Sequence, residues 1–110
     1  MNDKNQNLSD APTQLMPLIS IQPGAVVSRV LLNKPAGTLT LFAFDAGEGL
    51  SEHSAPFDAL VQVLEGEADI RIGTREHVVK AGHILLLPAN MPHALHARAA
   101  FKMLLTMIRA

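Results

Sequence analysis

From Leu18 onward, apolar residues recur at alternate positions in short runs, the pattern of β-strands rather than of helices. Within Ala68–Ile72, the side chains of Ala68, Ile70 and Ile72 share one face while Asp69 and Arg71 take the other. Gly73-Thr74 is a turn signal and Arg75–Lys80 reads as the returning strand, so this stretch predicts a hairpin. Near the C-terminal end, Phe101, Met103, Leu105 and Met107 form one fully apolar face, opposed by the more mixed Lys102, Leu104, Thr106 and Ile108. Further strands are predicted at Leu18–Ile21, Val26–Leu32, Thr38–Phe44, Ala59–Leu64, Ile84–Leu87 and Ala94–Arg98. Several carry apolar residues on both faces, as strands do when a second layer or a second subunit covers the outside.

Gly or Pro punctuates the chain at Pro23-Gly24, 35–37, 47–49, Pro56, Gly66, Gly73, Gly82, Pro88 and Pro92, leaving no room for a helix of about 10 residues. Short strands with turn chemistry between them predict an all-β fold, a sandwich or small barrel. At 110 residues the chain makes one domain with one modest core. Residues 1–14 are polar and read as a flexible N-terminal tail, with a short turn around Ser9 or Asp10 before Pro12, and 15–110 form the single domain.

Composition narrows the chemistry. Nine basic against ten acidic residues leave a formal charge of −1, giving no electrostatic case for nucleic acid or an anionic membrane surface as partner. No apolar run reaches membrane-spanning length and the N-terminus lacks a signal-peptide pattern, so a cytoplasmic location is the expectation. The absence of Cys excludes disulfides, thiolate metal sites and a cysteine nucleophile, while the absence of Tyr and Trp removes two further functional groups. Five histidines carry most of the remaining chemistry.

Two stretches are more specific. The first runs from Gly47 through His53 to Gly66, and the second from Gly82 through Pro88, Asn90 and His93 to Ala97. Together they resemble the two motifs of the cupin superfamily, whose fold is a double-stranded β-helix or jelly-roll barrel. Gly47, His53 and Gly66 fall on the first motif, and Gly82, Pro88 and His93 on the second. Asn90 stands at the motif's turn glycine and also tolerates a left-handed backbone. The 15 residues from Glu67 to Ala81 between the motifs match the family's shortest usual spacing, and the resemblance spans roughly Thr38 to Ile108.

A typical cupin holds a metal with three His and one Glu. The resemblance carries over His53 and His93 as ligands, but Ala55 stands where the second His would be, Ala59 where the Glu would be, and Ala97 at the final Asn. A divalent transition metal (zinc, nickel, iron or copper) on His53 and His93 is therefore one expectation, with Gln62, Glu52 or Asp58 as candidate third ligands. Strict alternation sets Gln62 on the face opposite Ala59, a placement that a bulge would reverse. Taken singly, His53 reads as a solvated loop histidine and His93 as a turn residue capping a carbonyl; the two motifs together direct both rings into one cavity. His77, His83 and His96 read as structural or solvated, and Phe57 and Met91 as an apolar rim at the barrel mouth.

Three functions fit these residues. One is a metal-dependent enzyme acting on a small molecule; another is a non-catalytic small-molecule-binding module. The third is a metal-free isomerase or epimerase using one histidine as acid–base catalyst. A homodimer is expected on family grounds, with the apolar segment 15–21 as a possible exchanged edge strand.

Overall fold

A computed structural model describes residues 8–109; residues 1–7, the first half of the expected tail, lie outside the described residues. Among the described residues the chain forms nine strands: β1 (Val26–Lys34), β2 (Gly37–Phe44), β3 (Gly49–His53), β4 (Asp58–Glu65), β5 (Glu67–Ile72), β6 (Arg75–Lys80), β7 (Ile84–Leu87), β8 (His93–His96) and β9 (Phe101–Ile108). They build two antiparallel sheets, sheet A in the order β1-β2-β9-β4-β7 and sheet B in the order β3-β8-β5-β6. The interleaved order is that of a jelly roll, because strands adjacent in sequence repeatedly fall in opposite sheets.

The inner faces of the two sheets share one core. Alternation along β4 and β9 sends Ala59, Val61, Val63, Phe101 and Met103 inward from sheet A. Ala68, Ile70 and Leu95 meet them from sheet B, with Val79 and Leu87 closing the side. Phe44 and Phe101 are cross-strand partners, both fully buried, with rings stacked at 4.5 Å and 10°. A stacked pair of this kind adds to the area it buries.

Sheet A is apolar on its outer face as well, as the two-sided pattern predicts. Leu31, Leu41 and Ala43 form a second cluster there, covered by Leu15, Leu18, Ile19 and Ile21 of the N-terminal segment. This segment is not the strand predicted at Leu18–Ile21. It makes a single 3-10 turn, Met16–Leu18, and then runs extended across the sheet. Pro17 removes a backbone donor that a ladder would need. The carbonyls of Met16 and Leu18 are taken by the side chains of Lys102 and Arg29 instead of by a neighbouring strand. The predicted turn before Pro12 is present: the Ala11 amide donates to the Ser9 hydroxyl at 3.2 Å.

The cover reaches only half of the sheet. At the β4–β7 end the outer face leaves Ile84, Leu86 and Ile108 at 60%, 49% and 53% exposure. No helix among the described residues is long and apolar enough to cross a membrane.

Left-handed positions hold the motif loops, Gly66 and Asn90 among them. Gly66 has φ 78°, and a Cβ there would stand 2.6 Å from the Ala100 carbonyl oxygen, so only glycine lets β4 turn into β5 beside that strand entry. Asn90 has φ 66°, the conformation its place in the second motif implies. Truncating Phe101 to Ala should cost about 3–5 kcal/mol of stability through the cavity and the lost stack, whereas Gln62→Ala should stay within about 0.5 kcal/mol. Urea denaturation of the two variants checks both values.

Candidate functional site

The ends of β3, β5 and β7 and the starts of β4 and β8 converge at one end of the barrel. His53 closes β3 and His93 opens β8; the two are cross-strand partners, and His93 also pairs with Ile72 at the end of β5. A bulge between Leu50 and His53 adjusts the register of β3 so that the two rings meet. Their centroids lie 4.4 Å apart at 71°, and the Nε2 atoms approach to 3.2 Å. His53 is exposed at the rim, while His93 behind it is 7% exposed and is the one buried polar residue among those described.

The other nitrogen of each ring fixes what these Nε2 atoms are. His53 Nδ1 lies 2.8 Å from the Ser51 carbonyl oxygen, and His93 Nδ1 lies 3.1 Å from that of Met91. A carbonyl only accepts, so each Nδ1 carries the proton, and in a neutral imidazole Nε2 is then left with its lone pair. Two lone pairs are therefore aimed at each other across 3.2 Å. Such a contact repels unless a proton or a cation stands between the nitrogens.

Burial lowers the pKa of His93 below the ordinary imidazole value; its bond to Met91 opposes this and the charge of a protonated His53 adds to it. A proton between the rings is thus disfavoured on the His93 side near neutral pH. A metal fits the donor geometry. With N–metal bonds of about 2.05 Å, a 3.2 Å bite subtends roughly 100° at the ion, near the tetrahedral angle. The backbone carbonyls on Nδ1 are the outer-shell partners that ligating histidines use.

The loops that carry the pair are bonded to each other. The Asn90 amide donates to the Ala55 carbonyl at 2.7 Å, and the Ala89 amide donates to the Asp58 carboxylate at 2.8 Å. No third ligand candidate joins the histidines. Gln62 is exposed on the face of β4 opposite Ala59, Val61 and Val63, and β4 holds regular register with β7 there. Glu52 pairs with Arg71 at 2.7 Å, and Asp58 is engaged with Ala89. Among the described residues, no group of three or more His, Cys, Asp or Glu converges to hold a metal. Met91, 42% exposed, and the half-buried Phe57 lie in the two loops at this end, where the rim was expected.

The other histidines stand apart. His83 Nδ1 accepts from the Lys80 amide at 3.3 Å, and His96 is exposed. A concavity of about 450 Å³, lined by Asp69, Arg71, Val78, Ala94, His96 and Arg98, opens on the outer face of sheet B, whereas His93 lies on the inward alternation of β8. Its arginines are already engaged, Arg98 with Asp69 at 2.7 Å and Arg71 with Glu52.

The lowered His93 pKa has a consequence for stability. Between the folded value and the unfolded value of about 6.5, the unfolded chain binds more protons than the folded one, so stability rises with pH. The contribution is complete above about 6.5 and is lost as the pH falls through that value toward the lower folded one. In urea denaturation from about pH 8 to about pH 5, the wild-type chain should lose more stability than His93→Gln. Equal pH slopes would count against the buried, neutral assignment.

Comparison with known proteins agrees with the fold. Residues 40–108 match the family profile described as a cupin domain. A conserved protein of unknown function from Streptococcus pyogenes is 33% identical, superposes with a TM-score of 0.90, and is matched over 100% of this chain and 96% of its own. A cupin superfamily protein from Desulfitobacterium hafniense is 30% identical with a TM-score of 0.87, over 98% of each chain. A cupin 2 conserved barrel domain protein from Leptotrichia buccalis is 41% identical with a TM-score of 0.84; 86% of this chain is covered, but only 46% of the relative. No curated protein sequence matches. On the two motifs, the jelly-roll topology and the family match together, the chain is a member of the cupin superfamily.

Proposed function

We propose that this small cupin binds a divalent transition metal on His53 and His93 and a small molecule beside it at the open end of the barrel. The observation that carries the reading is the pair of Nε2 lone pairs 3.2 Å apart, each fixed by a carbonyl bond on the opposite nitrogen. When bound, a metal of this class supplies Lewis-acid or redox chemistry. The chain's own residues do the remaining work. Ser51 and Met91 orient the rings, burial keeps His93 unprotonated, and Phe57 and Met91 give the mouth an apolar rim. Cupin relatives support a general small-molecule-binding or metal-dependent role.

The lowered His93 pKa also favours a metal-free reading, in which His93 acts as a general base or hydrogen-bond acceptor for a bound ligand. That reading lacks an acidic partner at the pair. Elemental analysis of tag-free protein after equilibration with zinc, nickel, copper or iron(II) separates the two. The expected result is near-stoichiometric metal in the wild type and at least a tenfold loss in His93→Ala and in His53→Ala. Protein that stays empty under all four ions supports the metal-free reading instead.

For assembly, we propose a homodimer in which the exposed outer face at the β4–β7 end meets its counterpart. Its outward positions Leu60, Gln62, Ile84, Leu86, Thr106 and Ile108 are uncharged, and the one acid on this face, Asp58 opposite Ile108 at the rim, is engaged by the Ala89 amide. Sedimentation velocity should show a dimer for the wild type and a monomer for Leu86→Glu. A monomeric wild type at high micromolar concentration would rule the dimer out.

A further inference from the structure

We propose that Arg71 is a positioning residue for His53. By its ion pair with Glu52 on the outer face of sheet B it fixes the bulged Ser51–Glu52 peptide, which keeps the His53 proton on Nδ1 and the Nε2 lone pair free. The positioning stands on the metal-free geometry, and its consequence for metal rests on the reading above.

The His53 ring has one proton and an acceptor at each nitrogen. Nδ1 faces the Ser51 carbonyl oxygen at 2.8 Å, and Nε2 faces the Nε2 of His93 at 3.2 Å. His93 gives its own proton to the Met91 carbonyl, so its Nε2 is free to accept. A His53 proton on Nε2 would therefore bond to His93, and the pair would hold itself closed against a cation. The shorter bond to Ser51 opposes that outcome. The orientation of one backbone carbonyl thus decides whether the two lone pairs stay open.

β3 alone fixes this carbonyl poorly. It is the edge strand of sheet B, and between its pairs Leu50–Leu95 and His53–His93 two residues, Ser51 and Glu52, oppose Ala94 alone. A bulge of this kind leaves one residue outside the ladder. The Ser51 carbonyl lies in the planar peptide unit that ends at the Glu52 nitrogen and Cα, so whatever anchors Glu52 also orients that carbonyl.

Arg71 supplies the anchor. It stands on β5, with β8 between it and β3, and its direct partners are Ala94 on β8 and Glu76 on β6. The guanidinium passes Ala94, a single methyl group, and its Nη2 meets Glu52 Oε1 at 2.7 Å. The two side chains are 40% and 56% exposed, so the pair adds little to global stability. Choosing between orientations of one unladdered peptide takes far less than stabilising a fold. The anchor acts on one ring only, because the carbonyl under His93 lies in the 88–92 loop, which Ala55 and Asp58 hold.

Long-range proton–nitrogen NMR of the labelled, metal-free full chain at about pH 8, above the ordinary imidazole range, reads the tautomer of each ring. The expected wild type has both rings protonated on Nδ1. Arg71→Gln and Glu52→Gln should each move the His53 proton to Nε2, leave His93 unchanged as the internal control, and keep the wild-type thermal midpoint. Arg71→Lys, which retains the charge, should restore most of the Nδ1 form. In a zinc buffer, Arg71→Gln should bind about tenfold more weakly than wild type, the usual cost of losing an outer-shell partner. His53 still protonated on Nδ1 in both Gln variants overturns the proposal and leaves the metal reading standing. His53 protonated on Nε2 in the wild type overturns it as well, and removes the lone-pair contact behind the metal reading. A wild type that binds no zinc strikes the metal reading alone, since the NMR comparison decides the positioning without metal.

Discussion

Sheet A has to bury both of its faces, and the rest of the architecture follows from that requirement. Its inner face closes the barrel against sheet B through Phe44, Phe101, Val61 and Met103. Its outer face displays Leu31, Leu41 and Ala43, which water would otherwise reach. The chain spends its N-terminal segment on this second face, anchoring it with Arg29 and Lys102 to carbonyls of Met16 and Leu18. Because the cover comes from an apolar segment lying flat and not from another strand, the sheet keeps five strands and both of its edges. The uncovered half, around Ile84 and Leu86, is the same requirement left unmet within one chain.

Most of the strands were legible because their side chains alternate against a core. β5 and β6, with Gly73 turning between them at φ 60°, show this most clearly. β3 was not legible. Its residues Ser51 and Glu52 are polar and exposed, it pairs at only three positions with β8, and a bulge breaks its period. Leu18–Ile21 misled in the opposite direction. An apolar run says that a segment is covered or covering, and only the hydrogen-bond partners of its carbonyls decide whether it joins a sheet.

The pairing of His53 with His93 was readable from two spaced motifs, since each lies a fixed distance from a turn residue whose backbone the fold constrains. The donors' orientation was not readable. In both rings Nδ1 reaches the carbonyl of the residue two positions earlier, Ser51 or Met91. A carbonyl belongs to every residue and leaves no mark in a sequence. The same holds for the third-ligand candidates: residue type made Glu52 and Asp58 plausible, while their partners Arg71 and Ala89 lie 19 and 31 residues away.

The two carbonyl bonds also remove a degree of freedom that loop histidines normally keep. Neither ring can flip about its Cβ–Cγ axis without giving up a bond to the backbone. The entropy of ordering the donors is therefore surrendered during folding, and a guest meets a preorganised pair. On the metal reading proposed above, that preorganisation would let two ligands hold what usually takes three or four. It also makes the site fragile in one respect. The loops beneath the two rings are fastened to each other through Asn90 with Ala55 and Ala89 with Asp58. A change that frays either loop loosens both imidazoles at once, so local rigidity and binding strength are a single property at this end of the barrel.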